Sequence, residues 1–176
     1  MPMETATFSA GCYWCFDALF RQLRGVEKVV AGFAGGTGPI SYNALHEHNN
    51  GYSEAVQITF DPSSIPYSAL LDIFWHLHNP TELNRQGHDV GYQYRSAIFY
   101  HSPEQKTLAE ESKTALEESH CYDKPIVTSL EPYTTFVPAD AEHQDYYAKH
   151  SADSYCIYAI DPKLQKLREM YRDSLK

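Results

Sequence analysis

The sequence has little of what marks membrane proteins, nucleic-acid-binding proteins and repeat proteins. It has no apolar run near the roughly 20 residues that a membrane-spanning helix requires. Its 14 lysines and arginines are outnumbered by 23 acidic residues, which gives a formal net charge of −9, whereas nucleic-acid binding depends on clustered basic residues. No internal repeat or low-complexity segment is present. We therefore expect a globular protein that binds neither membranes nor nucleic acids.

The N-terminal residues also lack the pattern of a secretory signal, because residues 1–8 contain neither a basic segment nor an apolar one. We therefore expect a cytoplasmic protein, in which structural disulfides are rare and cysteines are more often catalytic or metal-binding. The four cysteines are Cys12, Cys15, Cys121 and Cys156. Cys121 lies in a polar stretch after a predicted helix and carries no further signal.

Cys12 lies where a strand pattern changes to a helix pattern. Apolar residues alternate over 6–10 and then recur at helical spacing over 16–23. Cys12 should therefore lie in or just before the first turn of a helix, where free N–H groups and the helix dipole stabilise a thiolate. Cys15 follows three residues later, and this CxxC spacing fits either a thiol-redox site or a metal site.

The rest of the sequence alternates strand and helix patterns along one domain. The predicted strands lie near 5–10, 26–33, 53–60, 95–100 and 126–131, and the predicted helices near 12–24, 66–78, 103–119, 139–150 and 162–174. Some strands are joined without an intervening helix, which is typical of an α+β fold with one mixed or antiparallel sheet and helices packed on it. We expect the C-terminal tail, 157–176, to contain a docked helix.

Glu54 and the loop over 79–94 are further candidates for a functional site. The period-two pattern of the strand over 53–60 places Glu54 on its apolar face. Burial there would raise the pKa of the carboxyl and keep it protonated, as a general acid requires; at the strand end, Glu54 could instead point into solvent. The polar loop is long for a compact domain, and such loops are usually functional.

A zinc site is the alternative suggested by the histidines. His46 and His48, or His76 and His78, could be combined with the two cysteines of the CxxC in a Cys2His2 set. Neither pair has the usual gap of about three to five residues between its histidines, and residues two apart on a helix point to different sides. We therefore expect no bound metal.

Short motifs along most of the chain occur in a specific order. They are Gly11–Trp14, Ala34–Gly36, Gly51–Val56, His78–Thr81, Asn84–Gly87, Asp89–Gly91, Gln93–Ile98, Pro125–Thr128 and His143–Tyr146. In this order the sequence resembles the A-type peptide methionine sulfoxide reductases over residues 5–156. The resemblance implies a ferredoxin-like two-layer sandwich and one catalytic domain over 1–176. It also implies reduction of the S epimer of methionine sulfoxide, free or in proteins, without a bound cofactor.

The resemblance assigns the chemistry of the reaction to four positions. Cys12 matches the nucleophile, whose thiolate attacks the sulfoxide sulfur and becomes a sulfenic acid. Glu54 matches the acid that binds and protonates the sulfoxide oxygen. Tyr42 and Tyr94 match two tyrosines that donate hydrogen bonds to the same oxygen.

Three other positions match residues that bind the substrate. Tyr13 and Trp14 match an aromatic pair that forms the pocket for the terminal methyl group, although Tyr13 stands where phenylalanine is usual. Asp89 matches a carboxylate that positions the substrate or the network behind the site.

Two cysteines are candidates for resolving the sulfenic acid. Residues three apart in a helical turn have Cα atoms roughly 5–6 Å apart, so Cys15 is within disulfide range of Cys12. Cys156 matches the tail cysteine that resolves the sulfenic acid in many relatives, but it would need a mobile tail. The geometry favours Cys15, and the resemblance implies recycling by thioredoxin or, in vitro, dithiothreitol. The alternative function is a general CxxC thiol–disulfide oxidoreductase that does not need Glu54.

Overall fold

A six-stranded sheet forms the centre of the fold in the computed structural model, which describes residues 2–38 and 50–176. Its strands are β1 (Glu4–Ser9), β2 (Val26–Ala34), β3 (Ser53–Phe60), β6 (Ala97–Tyr100), β7 (Ser129–Pro132) and β8 (Phe136–Pro138). The short strands β4 (Arg85–Gln86) and β5 (Asp89–Val90) form a separate hairpin. The order across the large sheet is β7-β6-β1-β3-β2-β8, with β6 and β7 parallel and the other neighbours antiparallel.

Helices alternate with these strands and confirm the predicted α+β class. They are α1 (Tyr13–Arg21), α2 (Tyr67–His76), α3 (Pro103–Glu118), α4 (Tyr146–His150) and α5 (Asp161–Met170), with a π-helix (Cys156–Ile160) leading directly into α5. Helix α3 begins as its sequence indicates, because Ser102 Oγ accepts the N–H of Gln105 at 3.1 Å and Pro103 is the first helical residue. Over residues 2–38 and 50–176, no helix is long and apolar enough to cross a membrane.

Helices α1 and α2 pack on one face of the sheet. Val56, Ile58 and Phe60 of β3 are fully buried there, in one cluster with apolar side chains of both helices. The ring of Phe8 on β1 lies 5.1 Å from that of Phe74 on α2. Each such buried side chain contributes roughly 1.5–3 kcal/mol by leaving water, so this layer fixes α1, and with it the CxxC segment, against β3.

The opposite face of the sheet has a smaller apolar cluster made of Ala34, Ala55, Ala97 and Phe99. Phe136 of β8 packs against it. Strand β8 has only three residues, which is too short to show a period-two pattern, so the sequence predicts no strand there.

Three other segments differ from the predicted elements. The strand expected from residue 126 begins at Ser129, because Val127 N donates to Pro80 O at 2.8 Å and is held outside the sheet. The loop over 79–94 contains the β4–β5 hairpin and a 3-10 turn at Tyr92–Tyr94. The helix expected over 139–150 is a 3-10 turn at Ala141–His143 followed by α4.

The C-terminal segment lies against the ends of α1 and α2. Leu164 and Leu167 of α5 are buried in the main core. Tyr171 donates a hydrogen bond to Asp72 Oδ2 at 2.7 Å, and Arg24 Nη2 donates to carbonyl oxygens of the last residues at 3.0 and 3.1 Å. Residues 161–176 are therefore held to the body by both apolar and polar contacts.

Candidate active site

Cys12 is the cap residue between β1 and α1. It has an extended backbone with φ −61° and ψ 126°, and its carbonyl accepts the N–H of Cys15 at 3.2 Å. The preceding turn requires glycine, since Gly11 has φ +81° and a Cβ there would lie 2.7 Å from Gln86 Cβ. The absence of a side chain thus lets the β4–β5 hairpin pack against the residue that precedes Cys12.

Glu54 lies at the start of β3 and points into the protein. It is only 8% exposed, and its Oε1 accepts the backbone N–H of Tyr13 at 3.2 Å. The hydroxyl of Tyr94 also donates to this carboxyl. Burial, with a smaller contribution from the charge of Asp89, raises the pKa of Glu54 to about 8. The carboxyl therefore holds its proton at neutral pH.

The Cys12 thiol is also protonated at neutral pH. Burial is the largest cause that raises its pKa well above the ordinary value, and the neighbouring Glu54 and Cys15 raise it further. The N–H of Trp14 at the helix start and the hydroxyl of Tyr155 act in the opposite direction. The expected stabilisation of a thiolate by the helix start is present, but burial outweighs it. The resting site is thus a neutral thiol beside a neutral acid.

Tyr155 connects the cysteines to the hairpin, and no pattern in the sequence predicts this role. Its hydroxyl donates to Asp89 Oδ2 at 2.8 Å, lies 3.7 Å from Cys15 Sγ and hydrogen-bonds the Cys12 sulfur. Burial and the neighbouring thiols raise the pKa of Tyr155 well above its ordinary value, so the hydroxyl stays protonated. The only signal in the sequence is its place immediately before Cys156.

Tyr13 and Trp14 are held in aromatic contacts beside the nucleophile. Tyr13 is 4% exposed and its ring packs against Phe33 at 5.6 Å between centroids. Trp14 is half-buried and stacks on Tyr146, with centroids 3.7 Å apart and planes 6° apart. The ring of Tyr155 meets the same indole edge-on at 5.6 Å. The two predicted pocket residues are therefore held in fixed aromatic contacts in the segment that follows Cys12.

A buried carboxylate holds the segment that supplies Tyr146. Asp17 of α1 pairs with Arg21 at 2.6 Å and accepts the N–H of Asp145 at 2.8 Å, where the backbone has φ +50°. The side chain of Gln144 donates to the carbonyl and accepts from the N–H of Ala31, both at 2.8 Å. The motif over 143–146 is thus fixed to α1 and β2.

A cavity of about 320 Å³ opens at the two thiols of α1. The hairpin forms one wall, and the segment from the π-helix into α5 forms the other. The lining residues are Cys12, Cys15, Gln86, Gly87, His88, Asp89, Tyr155, Tyr158, Ala159, Pro162 and Lys163. A larger cavity of about 430 Å³ lies at the end of α3 and contains none of the predicted site residues.

The structure brings six of the predicted residues together: Cys12, Tyr13, Trp14, Glu54, Asp89 and Tyr94. Tyr42 lies outside the described residues. Both candidate resolving cysteines are buried, Cys15 on α1 and Cys156 at the start of the π-helix.

The residues considered for a zinc site have other contacts. His78 is buried, and its ring nitrogens contact Phe74 O at 2.5 Å and Ser96 Oγ at 2.8 Å. His76 contacts Asp72 and Tyr171, and His46 and His48 lie outside the described part of the chain. In residues 2–38 and 50–176, no group of three His, Cys, Asp or Glu side chains has the arrangement of a metal site.

Comparison with known proteins decides the family. The family model of the peptide methionine sulfoxide reductases matches residues 4–175. The chain belongs to this family. Its sequence is 49% identical over 177 residues to the peptide methionine sulfoxide reductase MsrA of Thermus thermophilus, covering 100% of this chain and 99% of that protein. The expected family and enzyme class are therefore confirmed.

The fold of this chain is also similar to solved structures of a methionine sulfoxide reductase and its relatives. Mxr1 from Saccharomyces cerevisiae in its reduced form aligns with a TM-score of 0.79 at 27% identity, covering 88% of this chain and 89% of that chain. The same yeast protein in complex with Trx2 aligns with a TM-score of 0.56 at 22% identity, covering 82% of this chain and 84% of that chain. The second alignment, at 22% identity, shows that the two chains share a fold and nothing more.

Proposed function

We propose that this reductase converts methionine-(S)-sulfoxide, free and in proteins, to methionine. The observation that carries the proposal is the pairing of a neutral buried acid, Glu54, with the Cys12 thiol at the start of α1. Glu54 accepts the N–H of Tyr13, the residue next to the nucleophile, and its raised pKa keeps its proton available. A sulfoxide oxygen is a poor leaving group until it is protonated, and a general acid of this kind supplies the proton.

In the first step, the Cys12 thiol loses its proton as its sulfur attacks the sulfoxide sulfur, and Glu54 protonates the oxygen. The proton released by Cys12 replaces the one that Glu54 gives up, so no net proton is consumed. Tyr94 already donates to the Glu54 carboxyl, and we propose that it and Tyr42 donate to the sulfoxide oxygen. The oxygen ends on Cys12 as a sulfenic acid, and methionine leaves with its sulfur reduced. The protein needs no bound cofactor for this transfer, because both electrons come from the cysteine sulfur.

We propose that Tyr13 and Trp14 form the surface for the terminal methyl of the substrate, since contacts of sulfur and methyl groups with aromatic rings are favourable. Asp89 would position the substrate through the network that includes Tyr155, whose hydroxyl donates to it. We expect oxidised proteins and thioredoxin as the partners, and neither nucleic acid nor membrane.

We infer that Cys15 resolves the sulfenic acid and that thioredoxin reduces the resulting disulfide. Three observations support Cys15. Its N–H bonds the carbonyl of Cys12, and Tyr155 contacts both thiols. Cys156 is fully buried, and the anchored helix α5 begins five residues after it. The yeast relative solved with Trx2 supports thioredoxin as the reductant.

Three broader assignments accompany this function. The order β6-β1-β3-β2 with α1 and α2 as connections supports a ferredoxin-like βαββαβ unit, to which β7 and β8 add edge strands. We propose one catalytic domain over 1–176, because side chains from β1 to α5 share one core cluster. A cytoplasmic location would supply the reducing conditions that the thiol cycle needs, and cell fractionation tests it.

The test of the function uses the two sulfoxide epimers with dithiothreitol. We expect methionine from the S epimer only, and none from Cys12→Ser. A Cys121→Ser variant is the matched control, because this thiol is exposed and outside the site. Insulin-disulfide reduction that persists in Glu54→Gln, without S-selective methionine formation, would instead establish the general thiol–disulfide oxidoreductase.

A further inference from the structure

Lys163 lines the same cavity as the two thiols of α1. It lies on α5, which the buried Leu164 and Leu167 hold against the body, and it is itself half-buried. Its ammonium makes no hydrogen bond or ion pair with any residue of 2–38 and 50–176. By contrast, Lys166 on the same helix donates to His76 O at 2.7 Å.

The free ammonium acts on groups inside the protein. Burial raises the pKa of Cys15 and is the largest influence on it. The charge of Lys163 is the largest influence in the opposite direction. Burial is the main cause that lowers the pKa of His78, and the charge of Lys163 lowers it further. Cys15 lies on α1, and His78 lies just beyond the end of α2.

The other charged or titratable groups near Cys15 do not replace this effect. Asp89 on the hairpin and Glu54 on β3 raise the pKa of Cys15, whereas the Tyr155 hydroxyl lowers it through a hydrogen bond. The Tyr155 proton is shared with Asp89 and Cys12. Lys163 is therefore the one lysine or arginine among the residues that line the cavity. His88 on the hairpin also lines it, with its ring edge-on to that of Tyr158 at 6.1 Å.

We propose that Lys163 is a positioning residue for the resolving step, where it stabilises the thiolate of Cys15 that attacks the Cys12 sulfenic acid. This proposal rests on the proposed function. Cys15 loses its proton, its sulfur bonds to the Cys12 sulfur, and the S–O bond breaks. The departing hydroxide takes up one proton and leaves as water, so the sulfenic sulfur is reduced and the Cys15 sulfur is oxidised.

The same charge assists the return of the enzyme to its reduced form. An external dithiol attacks the Cys12 sulfur of the disulfide, and Cys15 leaves as a thiolate. A leaving thiol departs faster when its pKa is lower. Lys163 therefore favours both formation and opening of the disulfide without exchanging a proton itself.

The experiment compares wild type, Lys163→Gln, Lys163→Arg and Lys166→Gln in a single turnover without reductant. Each protein is mixed with methionine-(S)-sulfoxide between pH 6 and 9, quenched with acid and alkylated. Methionine and the Cys12–Cys15 disulfide are then measured separately against time. Dimedone adducts report any sulfenic acid that accumulates on Cys12.

We expect all four proteins to form one equivalent of methionine at similar rates. In Lys163→Gln, the disulfide should form several-fold more slowly at pH 7, with its pH profile shifted upward and sulfenic acid accumulating, because the charge that lowers the pKa of Cys15 is gone. Lys163→Arg and Lys166→Gln should behave as wild type.

Unchanged disulfide formation in Lys163→Gln, or an equal loss in Lys163→Arg, would overturn the electrostatic role. A disulfide of Cys12 with Cys156 would overturn it while leaving the proposed activity intact. Failure of the proposed activity has a different signature, because wild type itself would then release no methionine.

Discussion

Replacing Glu54 by Gln should make the protein more stable and at the same time almost inactive. The glutamine keeps the shape of the side chain and an oxygen that can accept the N–H of Tyr13, which now donates to Oε1 at 3.2 Å. It removes the carboxyl whose pKa burial raises from 4.5 to about 8. Because the unfolded chain ionises this group more readily than the folded one, the native carboxyl lowers stability at neutral pH.

The magnitude follows from the pKa values. Below pH 4.5 the carboxyl is protonated in both states and Glu54→Gln should leave the free energy of unfolding nearly unchanged. The difference grows as the pH rises and levels off above about 8. At about 1.4 kcal/mol per pKa unit, the variant should gain roughly 3 kcal/mol at pH 7.

Urea unfolding of wild type and variant at pH 4.5, 6, 7 and 8 measures this difference directly. In parallel, single-turnover methionine formation should fall by about 10²–10⁴-fold in Glu54→Gln, the usual contribution of a general acid. Wild-type activity should decrease above pH 8, where Glu54 ionises. A stability difference that does not change with pH would refute the assignment of a buried neutral acid.

Three further variants test the construction of the site. Tyr155→Phe removes the hydroxyl bonded to Asp89 and should lower kcat about tenfold, the equivalent of one hydrogen bond; unchanged kinetics with methionine-(S)-sulfoxide would contradict this. Asp17→Asn should lower the free energy of unfolding by about 1–3 kcal/mol, as measured by urea unfolding. It should also raise KM in steady-state kinetics, because the segment that places Tyr146 on Trp14 is held less firmly; an unaltered KM would disprove this link. Gly11→Ala should destabilise more than Gly87→Ala, because both have positive φ but only Gly11 has atoms within 4 Å of an added Cβ; equal thermal shifts would argue against the contact with the hairpin.

Local patterns in the sequence predict the parts of the site that depend on neighbouring residues. The change from alternating to helical spacing places Cys12 at the start of α1, and the period-two pattern of β3 places Glu54 on the buried face. Both follow from the geometry of a single element.

Parts of the site that depend on distant residues are not visible in such patterns. Tyr155 is 66 residues from Asp89 and 140 residues from Cys15, so no periodicity connects them. The charge of Lys163 reaches Cys15 only because α5 docks beside α1. The raised pKa of Cys12 has the same origin, since it depends on how completely other segments bury the thiol.

The bond between Asp17 and Asp145 has a consequence for synthesis of the protein on the ribosome. The two residues are 128 positions apart, and at about 5–20 residues per second the second follows the first by roughly 6 to 26 seconds. Throughout this interval, Cys12 is part of a nascent chain that still lacks Tyr146, Tyr155 and the helix α5. The thiol then lacks the hydroxyl of Tyr155 and the burial that the late segments supply, so it acquires the reactivity of the mature site only when the last quarter of the chain has been made.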